Sequence, residues 1–454
     1  MMRSVTDLGR AMGIPMMAVA VAIADLWQRR TGERQTLSID LAQAVHAINP
    51  LIGNSTLIGG YPPNFGSILT PHQGSVFMGG HMVSPLLTDV FRTRDDRWVL
   101  PSAFFPAQRD ALLTLLDVPH NKQSIASAIS RWDPFELEER ANGVGVPLCV
   151  VRTRTEFEDH PQGQAILDEP LITIEKIGDS DPEPLPDSLQ PLGGLRVLSY
   201  TRAIAGPVVG RTLAEHGADV LHVNGPHEFE HDMVWADVGV GMRSARLDLH
   251  ENSGATAFRS LLGESDVFVQ NIRRSKLDSL ELGAAQAAAL RPGIVYCSLN
   301  CYGFTGPWSD RTGFDTQALA FTGYHTGEGT QGAPTGPPTG VLNDFILGYM
   351  GTAGILGALA RRSTEGGSYH VKLSLSRLSA WYPSLGKIDK AALDFGSASH
   401  GLPKPEQFTT QTPLGELRRQ IPPVKYSSTP SRWSEPILVP RGSSPAEWRT
   451  RAPR

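Results

Sequence analysis

The sequence predicts an α/β protein, with an open, mostly parallel Rossmann-like sheet in a large domain and a smaller α+β domain beside it. Three observations carry this reading. Between residues 191 and 385, short apolar runs alternate with helical patterns at the spacing of βαβ units. The acidic, Pro-rich stretch Gly178-Asp179-Ser180-Asp181-Pro182-Glu183-Pro184-Leu185-Pro186 continues neither a helix nor a central strand, so it divides the chain. The 454 residues, 40% of them hydrophobic, allow two or three domains with real cores. With 19% charged residues and a net charge of −5, the chain is not a basic nucleic-acid binder and is not disordered throughout. Three cysteines exclude a disulfide framework.

Residues 1–45 read as a helix–strand unit. Arg3 and Arg10 precede the apolar run Ile14–Ala24, a pattern shared with signal peptides. That run is too short to span a bilayer and continues into Asp25-Leu26-Trp27-Gln28-Arg29-Arg30, so a buried core helix is expected. The alternating segment from Gln35 to Leu41 follows as a strand. The same order of helix, Arg-Arg, Gly-containing turn and alternating strand recurs at 354–375, where Arg361 answers to Arg29 and Leu375 to Leu41. Residues 46–177 read as the small α+β domain, with strand–turn–strand over Val90–Leu100 and helical periodicity over Pro106–Leu116 and Phe135–Asn142.

The linker is assigned to 178–190 and the large domain to 191–385. In that domain Arg196–Tyr200, Asp219–Val223, Asp266–Gln270 and Ile294–Leu299 are expected strands. Pro207–His216, with Pro in its first turn and Gly217 after it, and Ala255–Leu262 are expected helices. Prolines punctuate residues 386–454, which are expected to drape over a surface rather than build a core. The terminal Ala452-Pro453-Arg454 is not a peroxisomal address.

No G-x-G-x-x-G fingerprint is present, which argues against a nicotinamide or flavin enzyme. Gly206-Pro207, just after the first strand, opens a helix whose N-terminus suits a phosphate or simply packs on the strand. Asn271-Ile272-Arg273-Arg274 follows a strand directly; its arginines suit a phosphate clamp or a solvated turn. Asp344 follows a Gly/Pro/Thr-rich loop, 327–340, and precedes an apolar helix. Such an Asp is commonly an N-cap, but its carboxylate also suits attack on an activated acyl group. His325 is a lesser candidate. Cys297 and Cys301 lack the second ligand pair that zinc requires, so they read as buried thiols and no metal site is expected.

At these residues the chain resembles the class III CoA-transferase family, which includes formyl-CoA transferase, carnitine CoA-transferase and α-methylacyl-CoA racemase. The ordered series runs from Gly194-Leu195-Arg196-Val197-Leu198 through Ala205-Gly206-Pro207, Gly217-Ala218-Asp219-Val220, Arg243-Ser244 and Asn271-Ile272-Arg273. It continues through Arg291-Pro292-Gly293-Ile294-Val295-Tyr296 and Gly313-Phe314-Asp315 to Asp344-Phe345. Thr31-Gly32-x-x-Gln35 resembles the turn that follows the family's catalytic helix, and 46–165 its small domain. The front of the chain therefore resembles a truncated copy of a family unit. Arg10, Ala11 or Met12 stands where Asp344 would align, so that copy is expected to be non-catalytic.

The resemblance implies an acyl-CoA:carboxylate CoA-transferase. Asp344 would attack the thioester to form a mixed anhydride, CoA thiolate would return to give an aspartyl-CoA thioester, and the acceptor acid would then take the CoA. Donors from the Gly-rich loop would hold the oxyanion. Ala205, Arg243, Asn271, Arg273 and Arg274 are the implied CoA contacts. CoA enters as a thioester substrate, with no permanently bound cofactor and no metal. The implied partners are an acyl-CoA and a small carboxylic acid, in a cytoplasmic homodimer without nucleic acid or membrane. An acyl-CoA racemase or epimerase is the first alternative, with Asp315 as a possible second base. Family racemases carry His-Asp where this chain has Phe314-Asp315, and Phe314 moves no proton. Met242 and Ser279 replace basic residues that hold CoA in the family, so a catalytically weakened CoA-binding remnant is the second alternative.

Overall fold

The computed structural model describes residues 2–50, 56–59, 77–78, 81–82, 89–103, 105–392 and 401–450. At its centre is a seven-stranded sheet. Its spatial order is Arg243–Arg246, Asp219–Asn224, Arg196–Tyr200, Val267–Gln270, Val295–Asn300, Ser368–Ser374 and Thr173–Gly178. All neighbours are parallel except the last pair. Within residues 191–385 the first three strands step one way from Arg196–Tyr200 and the next three step the other. The order therefore reverses between Arg196–Tyr200 and Val267–Gln270. In open α/β sheets, the crevice beyond the carboxyl ends of such strands is where ligands bind.

The central strands are near-continuous Val/Leu/Phe/Tyr runs because both faces are covered. Helix Ala205–Glu215 covers one face and packs against the long helix Asn343–Glu365. Gly348 permits that approach: a Cβ there would lie 2.5 Å from Val208 Cγ1 and 3.0 Å from the Ala205 carbonyl oxygen. Helix Asn252–Gly263 and helix Ala284–Leu290 cover the other face over Leu198, Phe258, Phe268 and Tyr296. The expected strands and helices of this region form with only small shifts at their ends.

The smaller unit has a three-stranded antiparallel sheet, Phe91–Arg92, Trp98–Pro101 and Leu148–Val150. Helices Pro106–Leu116, Lys122–Ile129 and Pro134–Gly143 close a core that includes Val99, Leu112, Ile125, Leu137 and Val150. Parts of the 46–177 reading (51–55, 60–76, 79–80, 83–88 and 104) lie outside the described residues. Thr173–Gly178, the end of that stretch, pairs antiparallel with Ser368–Ser374 as an edge strand of the large sheet.

The N-terminal apolar run lies in helix Leu8–Thr31, closed by Gly32 in the left-handed region at φ 78°. Among the described residues, this helix is long and apolar enough to cross a membrane by length and composition alone. Here it packs along Asn343–Glu365, burying Met12, Met16, Val19, Ile23 and Leu26 and leaving Ile14 and Val21 exposed.

The tail departs from expectation. Residues 430–450 do trace a surface, with Trp433, Trp235 and Trp448 tying them to the large domain. Before them, Gln407–Thr412 and Gly415–Gln420 form a hairpin that also pairs with Thr56–Ile58, and Val424–Tyr426 pairs with Leu37–Ile39. Leu417 and Leu438 are fully buried, so the tail contributes core as well as cover. Its residues 393–400 and 451–454, with the terminal tripeptide, lie outside the described residues.

Candidate active site

Helix Asn343–Glu365 begins without a capping side chain of its own. The cap comes from Asp315, a buried residue at the start of helix Asp315–Phe321. Its carboxylate accepts the backbone N–H groups of Leu342 (3.1 Å), Asn343 and Asp344 (2.9 Å). These are orphan donors of a helix N-terminus, and an anion there also meets the positive end of the helix dipole. Asp344 is therefore not the cap. It sits half-buried in the first turn, and among the described residues its carboxylate has no hydrogen-bond donor.

The two carboxylates lie near one another, and the Asp315 charge acts on Asp344. Burial and the Asp315 charge push the Asp344 pKa well above the usual carboxylate range. Burial raises Asp315 to about 6, although the three backbone N–H donors pull it down. Cys301 and Tyr382 also face this pair; burial and both carboxylates keep thiol and phenol protonated. Phe314 stacks on Phe105 with centroids 5.7 Å apart, so the residue before Asp315 adds an apolar wall.

The other sequence-derived candidates divide into groups. Ala205 opens its helix in the crevice where strand order reverses, and Asn271 stands opposite it after Val267–Gln270. Asn271 clamps the intervening loop reciprocally: Arg202 N–H donates to its Oδ1 at 2.8 Å, and its Nδ2 donates to the Arg202 carbonyl at 2.7 Å. The loop needs that hold, because Ala203 lies in the left-handed region at φ 55°, where its N–H reaches the Glu230 carboxylate at 2.8 Å. Asn271 thus shapes the crevice. Arg273 and Arg274 are exposed at the same edge, with no hydrogen-bond or ion partner for their side chains among the described residues.

Arg243 stands apart from these candidates. It starts the outermost strand, at the amino ends of the parallel strands, and forms a bidentate pair with Asp219 at 3.0 Å for both contacts. It also donates to the Glu447 carbonyl at 2.8 Å. A guanidinium so committed, at the edge opposite the crevice, is architectural. Met242 is buried against Gly210. His325 is buried and held neutral, its pKa pushed down to about 4. Cys149, Cys297 and Cys301 are all buried free thiols.

Sequence reasoning missed the capping role of Asp315 and the part of Tyr382, whose hydroxyl donates to Asn343 Oδ1 at 2.8 Å. The first left no signal, because Asn343 and Asp344 both read as local caps in the sequence.

The fold and site define a doubly wound α/β protein with a carboxylate poised at a helix start beside a switch-point crevice. Residues 192–389 match the sequence model of CoA-transferase family III. Acetyl-coenzyme A transferase nodX of Hypoxylon pulicicidum is 34% identical over 208 residues, 44% of this chain and 35% of that protein. Succinate–glutarate CoA-transferase of Agrobacterium fabrum is 29% identical over 42% of this chain and 52% of its own length. The succinyl-CoA–L-malate CoA-transferase alpha subunit of Chloroflexus aurantiacus is 32% identical over 41% and 48%. The matched stretch spans about a third to a half of these relatives. A CAIB/BAIF family protein from Brucella suis, of solved structure, is 28% identical over 43% of this chain and 56% of that chain, with a TM-score of 0.39.

Proposed function

We propose that this chain is an acyl-CoA:carboxylate CoA-transferase with Asp344 as its nucleophile. The observation that carries the reading is the division of labour between two aspartates: Asp315 caps the helix, leaving Asp344 with an uncommitted carboxylate in the first turn. Attack of that carboxylate on a thioester carbonyl forms an aspartyl acyl anhydride and expels CoA thiolate. Return of the thiolate to the aspartyl carbonyl expels the donor acid and leaves an aspartyl-CoA thioester. The acceptor carboxylate attacks that thioester, and CoA leaves on the acceptor by the reverse sequence.

The crevice at the strand-order reversal suits the CoA moiety. Ala205 lines its helix start, Asn271 holds its loop, and Arg273 and Arg274 offer free guanidinium groups to phosphates. Racemisation is disfavoured because Asp315 is engaged by three backbone donors and Phe314 carries no proton. The relatives named above are a succinate–glutarate CoA-transferase, a succinyl-CoA–L-malate CoA-transferase subunit and an acetyl-coenzyme A transferase, which supports the reaction class.

The test is incubation with a panel of acyl-CoA thioesters, followed by hydroxylamine and mass mapping. A hydroxamate is expected at Asp344, and none is expected in Asp344→Ala, which should still melt cooperatively. A modified residue elsewhere, or unchanged turnover in Asp344→Ala, removes the mechanism. Stabilisation by CoA without any trapping or turnover selects the binding-remnant reading instead.

A further inference from the structure

The residue before the proposed nucleophile carries an unexplained group. Asn343 is wholly buried, and its Oδ1 accepts from the Tyr382 hydroxyl at 2.8 Å. Its Nδ2 has no acceptor among the described residues. A buried donor left unpaired destabilises a fold, so native proteins keep few of them, and those they keep call for a role. The Tyr382 phenol faces Asp315 and Asp344, and its hydroxyl holds the amide of the residue next to Asp344.

Tyr382 is itself held from behind. Its ring lies 6.4 Å from that of Tyr324 at 73°. The Tyr324 hydroxyl donates to Glu328 at 3.2 Å. Glu328 also accepts from the Ser4 hydroxyl at 2.8 Å and the Val5 N–H at 3.2 Å, and it pairs with Lys390 at 2.5 Å. A connected set of groups therefore runs from the N-terminal segment to the turn that carries Asp344.

We propose that Tyr382 and Asn343 are positioning residues for Asp344: the hydrogen bond between them anchors the first helical turn, on which the Asp344 carboxylate stands. The inference rests on the reading of Asp344 as nucleophile. Neither side chain touches the substrate. Both act by holding the carboxylate in its attacking orientation, so they govern the maximal rate of acylation rather than acyl-CoA affinity.

The experiment is single-turnover hydroxamate formation at Asp344, measured against acyl-CoA concentration, for wild type, Tyr382→Phe, Asn343→Leu and the double variant, with thermal melts alongside. The maximal rate is expected to fall about tenfold or more in each single variant, with the half-saturating concentration unchanged. The double variant is expected to melt at or above the wild-type temperature, because both polar groups are gone, yet to remain slow. That combination separates positioning from mere stability. Wild-type maximal rates in the variants, or a change confined to the half-saturating concentration, overturn the inference and leave Asp344 as nucleophile. Slowing only in variants whose melts also fall overturns it too. Failure of wild type to trap at Asp344 overturns the reading and the inference together.

Discussion

Two helix–turn–strand units of similar pattern, Leu8–Ile39 and Asn343–Ser374, pack helix to helix in this fold and have different fates. In the second, the helix is sandwiched between the large sheet, helix Ala205–Glu215 and the first helix. Its strand is interior to the sheet. In the first, the helix exposes Ile14 and Val21, and its three-residue strand is only half-buried against Val424–Tyr426. The answering arginines show the contrast closely. Arg362, 1% exposed, reaches Asp266 at 3.1 Å and the Gly293 carbonyl at 3.2 Å. Arg30, at the corresponding place, donates to the Gln190 carbonyl at 2.5 Å.

The caps differ as well. Asp7 caps the first helix locally, accepting from the Arg10 N–H at 3.0 Å. The second helix borrows its cap from Asp315. A local cap spends the acid on the helix; a borrowed one leaves the acid in the first turn available for chemistry. The same pattern of apolar residues can thus be a supporting helix or the carrier of a reactive group. Who supplies the cap distinguishes the two.

Four substitutions probe the contrast. Arg362→Ala leaves Asp266 buried with less compensation and is expected to cost about 3 kcal/mol, against less than about 1 kcal/mol for Arg30→Ala. Urea titrations of both variants check this, and equal costs would make the two units equivalent in the fold. Next, Asp315→Ala is expected to slow acylation at Asp344 about a hundredfold, because the turn loses its anchor. Asp7→Ala is expected to cost about 1 kcal/mol of stability while leaving the trapping rate untouched. Equal rate losses in these two would remove the special role of the borrowed cap.

The smallest effect concerns charge. Asp315 titrates near 6 in the fold, above the roughly 3.9 of an unfolded Asp, and Asp344 is raised as well. Raised carboxylates favour the folded state fully below the unfolded value, and that contribution disappears as pH rises through the folded value. At neutral pH the burial of these carboxylates, with the Asp315 charge acting on Asp344, therefore destabilises the fold. Asp344→Asn is expected to add about 1–2 kcal/mol of stability at pH 7–8, with the gain shrinking as pH falls towards the unfolded carboxylate value of about 4. A gain independent of pH would mean that the Asp344 charge is not its source.

Much of this architecture is written locally. Apolar runs of strand length separated by helical periods specify Arg196–Tyr200, Asp219–Asn224, Val267–Gln270 and Val295–Asn300, because both faces of a parallel strand must be buried. The likeness of Asp344 and its neighbours to a known nucleophile position was legible for the same reason: it lies in a contiguous motif. Other features were not. The tail hairpin Gln407–Gln420 shows only weak alternation, and pairing with Thr56–Ile58 across most of the chain leaves no period to read. Arg243 looked like a phosphate ligand from its motif, and only the position of Asp219 across the strand pair shows it to be an architectural brace.

The sequence by itself determined the class of the sheet and the identity of the acid at the start of the last long helix. Periodicity, Pro/Gly punctuation and motif order act over a few residues and survive in one dimension. The tertiary structure alone decided that Asp315 caps that helix, that Asn271 clamps a strained loop, and that Tyr382 and Asn343 stand behind Asp344. These roles depend on hydrogen bonds between residues far apart in the chain. Such bonds are set by how the layers pack, not by the neighbours a residue has in sequence.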